Sequence, residues 1–174
     1  ADMLVEYGGS TILSETPEIY GAEHLLIDRA LEESHIEKLN DQIEWWKHYT
    51  QVNDGSLDNN PSPGNKKGGL TTILEKSLGA VAKGGNSIMV DVLDYAEKIS
   101  KSGFHFMDSP GYDPVSVTGQ VAAGSNLICF TTGRGSCFGF KPAPSLKIAT
   151  NTNMYNSLKE DMDINAGTIM DGVN

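Results

Sequence analysis

Short apolar runs rich in β-branched residues alternate with helical patterns along this chain. Four of these runs, at 10–14, 104–108, 126–132 and 146–149, have the length and composition of buried strands. Helical segments between strands are typical of right-handed βαβ crossovers and a mostly parallel sheet. The sequence therefore predicts an α/β fold, a three-layer αβα arrangement with Rossmann-like crossovers, in a single domain over residues 1–174.

The segments between these strands carry further patterns. Residues 32–52 repeat apolar positions at helical spacing, and Pro114 begins a helix that extends to Ala123. The pattern predicts a short apolar turn at 90–93 and a helix at 95–100. After residue 69, one helical stripe is formed by Leu70, Ile73, Leu74, Leu78 and Val81.

Composition excludes several classes of function. The net charge of −10 disfavours binding to nucleic acid or to an acidic membrane surface, and no apolar run is long enough to span a bilayer. Cys129 and Cys137 lack metal-site spacing, and Cys129, in an apolar run, is expected to be a small buried residue. A reduced, cytoplasmic setting follows. His24, His35 and His48 lie among polar residues and are predicted to be surface histidines.

A glycine-rich stretch with two lysines, PSPGNKKGGLTT at 61–72, precedes the helical stripe. Free amides at a helix N-terminus, together with the lysine charges, favour binding of an anion. A P-loop is excluded because Leu70 stands where that motif requires lysine. A plain solvent-exposed turn is the alternative.

A second cation follows the strand at 126–132, in the sequence GRGSCFG. Its spacing differs from the dinucleotide fingerprint, and Pro142 and Pro144 lie where a helix would have to begin, so no nucleotide cofactor is predicted. Glu15, Glu18 and Glu23 follow the first strand. These carboxylates either hold a divalent cation or are solvated loop charges.

Three segments together resemble the altronate/galactarate dehydratase family of sugar-acid hydro-lyases. They are PSPGNKKGGLTTILEKSLGAVAKGG at 61–85, NLICFTTGRGSCFG at 126–139 and DMDINAG at 161–167. The segment GGSTILSETPEIYGAE at 8–23 is similar to the altronate-type branch. The resemblance implies a metal-assisted dehydration of altronate or galactarate to a keto-deoxy acid, with iron(II) or manganese(II). It also implies the C-terminal part of a longer enzyme, whose N-terminal domains are the partners of this chain, so the isolated chain is expected to be inactive.

The resemblance also implies site residues. The altronate-type pattern tolerates a non-basic residue at Lys67, so Lys66 is the main cation of the PGNK motif. The catalytic candidates are Lys66, Lys76 and Glu75, and the candidate metal ligands are Glu15, Glu18 and Asp163. The substrate-binding candidates are Gly64, Asn65, Lys66, Lys67, Thr132, Gly133, Arg134, Gly135 and Asn165.

These residues suit proton abstraction next to a carboxylate. Lys66 and Arg134 would bind the substrate carboxylate, Asn65 would bond a hydroxyl, and Lys76 or Lys66 would act as acid or base. A sulfolactate sulfo-lyase, which eliminates sulfite in place of water, is the second enzyme hypothesis. A non-catalytic binding or assembly domain is the third. Substrate stereochemistry is not predicted, and a homo-oligomer is left open.

Overall fold

Two three-stranded parallel sheets organise the chain. The computed structural model describes residues 1–57, 63–67 and 69–172. These residues form two compact units, unit one from Ala1 to Gly124 and unit two from Ser125 to Asn174. The α/β class with parallel strands is confirmed, and the predicted strands are divided between two sheets.

Unit one contains a sheet with the strand order β1-β3-β2. The strands are β1 (Ser10–Ser14), β2 (Met89–Leu93) and β3 (Gly103–Met107). Central strand β3 is buried along its whole length, which is typical of a parallel strand covered on both faces. Ser10 pairs with Gly103 at one end of β3, and Ser14 pairs with Met107 at the other.

Helices cover both faces of this sheet. On one face Phe104 and Phe106 pack with Leu39 and Val81, and on the other Met107 packs with Ala123. This arrangement gives unit one the three layers that the sequence predicts. Its helices are α1 (Asp2–Glu6), α2 (His24–Ile27), α3 (Glu33–Val52), α4 (Pro63–Lys67), α5 (Ile73–Ala82) and α6 (Asp113–Ala123), with a 3-10 turn at Thr16–Glu18.

The loop between α5 and β2 is held by two charged side chains. The Asp2 carboxylate accepts hydrogen bonds from the amides of Asn86 and Ser87, each at 2.9 Å, and from the Ser87 hydroxyl. These bonds hold the pKa of Asp2 below its usual value, the Ser87 hydroxyl contributing most. The Arg29 guanidinium stacks on Phe104, 4.4 Å from the ring centre, and donates to the carbonyl of Ser87 at 3.3 Å. The C-terminal end of α5 is thereby fixed beside the sheet.

Unit two contains a smaller sheet with the order β4-β5-β6. Its strands are β4 (Ile128–Thr132), β5 (Ser145–Ala149) and β6 (Ile164–Asn165), accompanied by α7 (Thr152–Ser157) and a 3-10 turn at Ala166–Asp171. Ile128 pairs with Ser145, and Ala149 pairs with Asn165. None of the helices described in either unit has the length and apolar character that crossing a membrane requires.

Two predicted elements are wrong. Residues 90–93 belong to strand β2, because their β-branched and apolar side chains pair with β3. Residues 95–100 are not helical. Ala96 has a left-handed φ of 63°, which is incompatible with continuation of a right-handed helix.

Three burial predictions are also wrong. In α5 the buried face contains Ile73, Ser77 and Val81, while Leu74 and Leu78 are exposed. The true stripe is rotated because small residues at 77 and 80 allow the helix to approach the sheet. Cys129 is exposed, since it lies on the outward face of β4. His35 is buried, and its Nε2 lies 3.7 Å from an Asp91 carboxylate oxygen.

Candidate active site

The carboxyl ends of β1 and β3 lie side by side and are joined through Ser109. The Glu15 amide donates to the Ser109 hydroxyl at 3.0 Å, and the Thr16 amide donates to the Ser109 carbonyl at 3.0 Å. Open α/β sheets bind their ligands at this edge. The candidate site of unit one therefore begins at Glu15.

Glu15 has a left-handed backbone conformation, with a φ of 80°. A non-glycine residue rarely adopts this conformation, and it costs on the order of 1 kcal/mol or more. The two hydrogen bonds to Ser109 hold the backbone in place. Strain of this kind at a strand end suggests that the side chain is needed there.

An ion pair lies beside Glu15. The Lys76 ammonium, on α5, is 2.6 Å from a Glu18 carboxylate oxygen, and both side chains are largely buried. Gly111 provides room for this pair, because a Cβ there would come within 3.2 Å of Glu18 Cγ. A larger residue at 111 would push Glu18 away from Lys76.

The Glu15 carboxyl differs from its neighbours in its protonation. Burial, and after it the charges of Glu18 and Asp113, raise the pKa of Glu15 to about 8 against the opposing charges of Lys83 and Lys76. Glu15 therefore holds its proton at neutral pH next to an ion pair. Titratable groups whose environments separate their protonation states are suited to general acid–base catalysis.

Asp108 connects the site to helix α3. Its carboxylate accepts a hydrogen bond from Trp46 Nε1 at 2.8 Å and a second from the Thr16 hydroxyl. A cavity of about 390 Å³ opens beside it, within the size range of small-molecule sites. The cavity is lined by Lys38, Asp41, Gln42, Trp45, Asp94 and Asp108.

In unit two the glycine-flanked arginine lies in a tight turn after β4. The Thr132 hydroxyl accepts hydrogen bonds from the amides of Gly135 at 3.0 Å and Ser136 at 3.1 Å. Gly135 has a φ of 98°, and a Cβ there would collide with Leu158. The turn is therefore fixed by Thr132 and Gly135, and it carries Arg134 at an exposed position.

A family profile described as D-galactarate/altronate dehydratase, C-terminal, matches residues 1–174. The chain belongs to the D-galactarate/altronate dehydratase family. It is 40% identical over 172 residues to altronate dehydratase from Escherichia coli K12 and 42% identical over 169 residues to altronate dehydratase from Bacillus subtilis 168. It is also 42% identical over 172 residues to galactarate dehydratase (L-threo-forming) from E. coli K12.

These alignments include nearly all of the chain but only part of each relative. The coverage of the chain is 99%, 97% and 99%, and that of the relatives is 34%, 34% and 33%, respectively. The chain thus spans about a third of the length of these curated relatives. A weaker similarity, 32% over 172 residues, relates 97% of the chain to 44% of the (2R)-sulfolactate sulfo-lyase subunit beta of Chromohalobacter salexigens.

In this family member the PGNK motif is helical. Residues 63–67 form α4, whereas the sequence predicts an open turn, and that part of the prediction is wrong. Proline suits the first position of a helix, and the chain folds back after Lys67 through the Leu70 amide, which donates to Asn65 at 3.2 Å. Residues 61, 62 and 68 of the predicted stretch lie outside the described residues. Lys66 and Lys67 are exposed, and Gly64 and Asn65 are half-buried.

Glu75 participates in the start of helix α5. Its carboxylate accepts the Thr71 amide at 2.8 Å, while its own amide donates to the Thr72 hydroxyl at 3.5 Å. This arrangement is a variant of the capping box, in which the carboxylate accepts the amide of the residue before the N-cap Thr72. The hydrogen bond from Thr71 lowers the pKa of Glu75. The structure thus gives Glu75 a structural role, and its catalytic role stays a prediction.

The remaining candidates of unit two make local bonds. The Asn165 side chain accepts the Gly167 amide at 3.0 Å and donates to the Thr152 hydroxyl at 3.3 Å. Asp163 accepts the backbone amide of Lys147 at 2.7 Å. The Gly133 carbonyl accepts from the Asn151 side chain at 3.1 Å. These bonds shape the sheet edge, and roles for Gly133 and Asn165 in substrate binding stay predictions.

The described residues do not fit a complete metal centre. Among residues 1–57, 63–67 and 69–172 no group of three or more His, Cys, Asp or Glu side chains could hold a metal ion. Glu18 already binds the Lys76 ammonium, and Asp163 binds a backbone amide. The requirement for iron(II) or manganese(II), with ligands Glu15, Glu18 and Asp163, stays a prediction from the family resemblance.

Glu15, Glu18 and Lys76 are predicted from the sequence, but the residues that hold them are not. Asp108 is the last residue of the predicted strand at 104–108, Ser109 follows it in the sequence DSPGYDP, and Asp113 is in the first turn of α6. A polar cluster immediately after a buried strand is the signal that would have identified them.

Proposed function

We propose that this chain carries acid–base groups of a sugar-acid dehydratase that removes water from altronate or galactarate. The names of the three dehydratase relatives support this substrate class. The observation that carries the proposal is the strained Glu15 carboxyl, proton-bearing at neutral pH, beside the Glu18–Lys76 ion pair. An elimination of water needs such a combination, since one group accepts a proton and another supplies one.

In the proposed reaction the Glu18 carboxylate removes the proton α to the substrate carboxylate. The electron pair of the C–H bond moves toward that carboxylate and forms an enediolate, whose charge the Lys76 ammonium stabilises. Glu15 then gives its proton to the β-hydroxyl, which leaves as water as the double bond forms. The resulting enol tautomerises to the keto-deoxy acid, and proton exchange with solvent restores both carboxyl groups.

The proposed substrate-binding groups are those that the family motifs mark. In unit one Lys66 would neutralise carboxylate charge and Asn65 would hydrogen-bond a hydroxyl. In unit two the proposed carboxylate-binding group is Arg134. Charge-assisted hydrogen bonds of this kind are about twice as strong as neutral ones. They bind the acid in the ground state as well as in the transition state, so their loss should affect KM more than kcat.

A direct assay tests the proposed function. The intact native protein is incubated separately with altronate, galactarate and (2R)-sulfolactate, and keto-deoxy acid and sulfite are measured. We expect keto-deoxy acid from one of the two sugar acids and no sulfite. Sulfite release without keto-deoxy acid would favour the sulfo-lyase hypothesis, and binding of the acids without any product would favour a binding domain.

Replacement of Lys66 with methionine should raise KM for the sugar acid by about 10- to 100-fold, the effect of losing one charge-assisted contact, with a smaller change in kcat. Lys66 is exposed, so thermal unfolding should be unchanged. Lys98→Met removes an equally exposed charge and serves as the matched control, and Lys67→Met should fall between the two. Steady-state kinetics of the three variants measures this, and equal KM values for Lys66→Met and Lys98→Met would remove Lys66 from the site.

A further inference from the structure

Unit two contains a buried amine that the proposed mechanism does not use. Lys147 lies in β5, the central strand of its sheet, and is only 6% exposed. Its ammonium nitrogen lies 4.9 Å from the centre of the Phe130 ring. Among the described residues this nitrogen has no hydrogen-bond acceptor and no carboxylate partner.

A buried ammonium without an acceptor is unfavourable for folding. Transfer of a charged group out of water costs several kcal/mol unless hydrogen bonds compensate it, and the face of one aromatic ring supplies only a part. The carboxylate of Asp163, the residue that directly precedes β6, accepts a hydrogen bond from the Lys147 backbone amide at 2.7 Å. The charge of Lys147 therefore lacks the anion that would balance it.

The segment 137–139 passes beside this amine at Gly139. A Cβ at Gly139 would lie 3.8 Å from Lys147 Nζ, so the glycine stands directly beside the charge. The chain is held on both sides of this segment. Before it, the amides of Gly135 and Ser136 donate hydrogen bonds to the Thr132 hydroxyl. After it, the Ala143 amide donates to the Phe140 carbonyl at 3.0 Å. Residues 137–139 themselves make no hydrogen bond within the described part of the chain. This segment can therefore move without breaking a hydrogen bond.

We propose that the Lys147 ammonium binds a carboxylate anion of the sugar-acid class, which reaches it when segment 137–139 lifts at Gly139. The carboxylate accepts a hydrogen bond from Lys147 Nζ, for which the described residues provide no acceptor. Binding therefore replaces an unpaired buried charge with a charge-assisted hydrogen bond. The choice of a sugar acid as ligand rests on the proposed function. The anion site itself rests on the burial and missing partner of Lys147.

The test measures binding separately from turnover. Adipate is a six-carbon dicarboxylate without a hydroxyl to eliminate, so it reports binding to the intact native protein by calorimetric titration. Lys147→Met should weaken adipate binding by about 10- to 100-fold. Its melting temperature should be unchanged or higher, because methionine removes the buried charge. Lys141→Met, an exposed lysine on the same loop, is the matched control and should match the native protein.

A second variant keeps the amine in place. Gly139 has no left-handed φ, so Gly139→Ala should fold normally and place its methyl group beside Lys147 Nζ. We expect severalfold weaker adipate binding with an unchanged melting temperature. If Lys147→Met fails to fold, Gly139→Ala decides the question, and native adipate affinity in it would overturn the proposal.

The outcomes separate this inference from the proposed function. Native adipate affinity in Lys147→Met overturns the inference, and dehydration of a sugar acid by the same variant leaves the dehydratase proposal standing. Adipate binding that depends on Lys147, without dehydration of any sugar acid, supports the inference and overturns the dehydratase proposal. A native protein that neither binds adipate nor dehydrates a sugar acid overturns both.

Discussion

Replacement of Glu15 with glutamine is expected to lower kcat by about 10²- to 10⁴-fold, the usual range for loss of a general acid. Glutamine keeps the size and hydrogen-bonding capacity of the side chain but has no proton to give to the departing hydroxyl. KM should change little, because the lost interaction belongs to the transition state. Steady-state kinetics on the intact native protein measures both constants.

The pH dependence gives the same variant a second measurement. Because burial raises the pKa of Glu15 to about 8, native kcat should fall as pH rises through that value, and the Glu15→Gln variant should lack this decline. Folding stability follows from the same shift. The native state keeps a proton that the unfolded chain releases above its ordinary pKa of 4.5, so native stability declines between pH 4.5 and about 8. The variant should therefore gain stability relative to the native protein across this window.

Glu37→Gln is the matched control, since Glu37 is exposed on α3 and undergoes the same replacement of a carboxyl group by an amide. It should leave kcat, its pH profile and the unfolding temperature unchanged. Native kcat in Glu15→Gln would exclude Glu15 as the acid. A large loss in Glu15→Gln accompanied by an unaltered high-pH decline would assign the titrating group elsewhere.

Replacement of Lys76 with methionine is expected to lower kcat by about 10²- to 10³-fold, as for removal of one donor that stabilises developing negative charge. The change breaks the 2.6 Å ion pair and leaves Glu18 without its ammonium partner. It also removes one of the two positive charges that oppose the rise in the pKa of Glu15, so the high-pH decline of kcat should move upward. A pH series of kcat for the variant tests both effects.

Lys83→Met provides a stringent control for Lys76. Lys83 caps the same helix, is exposed, and influences the pKa of Glu15 in the same direction, but it makes no ion pair in the described structure. If the 2.6 Å contact with Glu18 matters, Lys83→Met should keep most of its activity. Equal losses in the two variants would mean that only the summed positive charge is important.

The strands were predictable because a short apolar run rich in β-branched residues indicates a buried strand without reference to the rest of the fold. Ser10–Ser14 is strand β1, and the run at 104–108 differs from β3 by one residue at each end. The error at β2 has a tertiary cause, because the apolar run at 90–93 is short and becomes a strand only by pairing with β3. Propensity alone does not decide such a segment.

The site was only partly predictable for a related reason. Carboxylates beyond β1 and a cation on α5 are visible in the sequence, but the left-handed conformation of Glu15 has no sequence signal, since glutamate seldom adopts it. Lys147 lies within an otherwise apolar strand and is unremarkable until its burial and its missing partner are known. The backbone conformation of Glu15 and the burial of Lys147 both depend on residues that are distant in the sequence.

The order of strands in unit one has a consequence for how the protein is made. Strand β3 is the last of its sheet in the chain and the central one, and it pairs Gly103 with Ser10. On the ribosome, β1 and β2 must therefore wait unpaired until residues 103–107 emerge, and closing so long a loop slows folding. In unit two Ile128 pairs with nearby Ser145. That sheet can form as soon as its strands are synthesised, so unit one is expected to be the slower of the two units to fold.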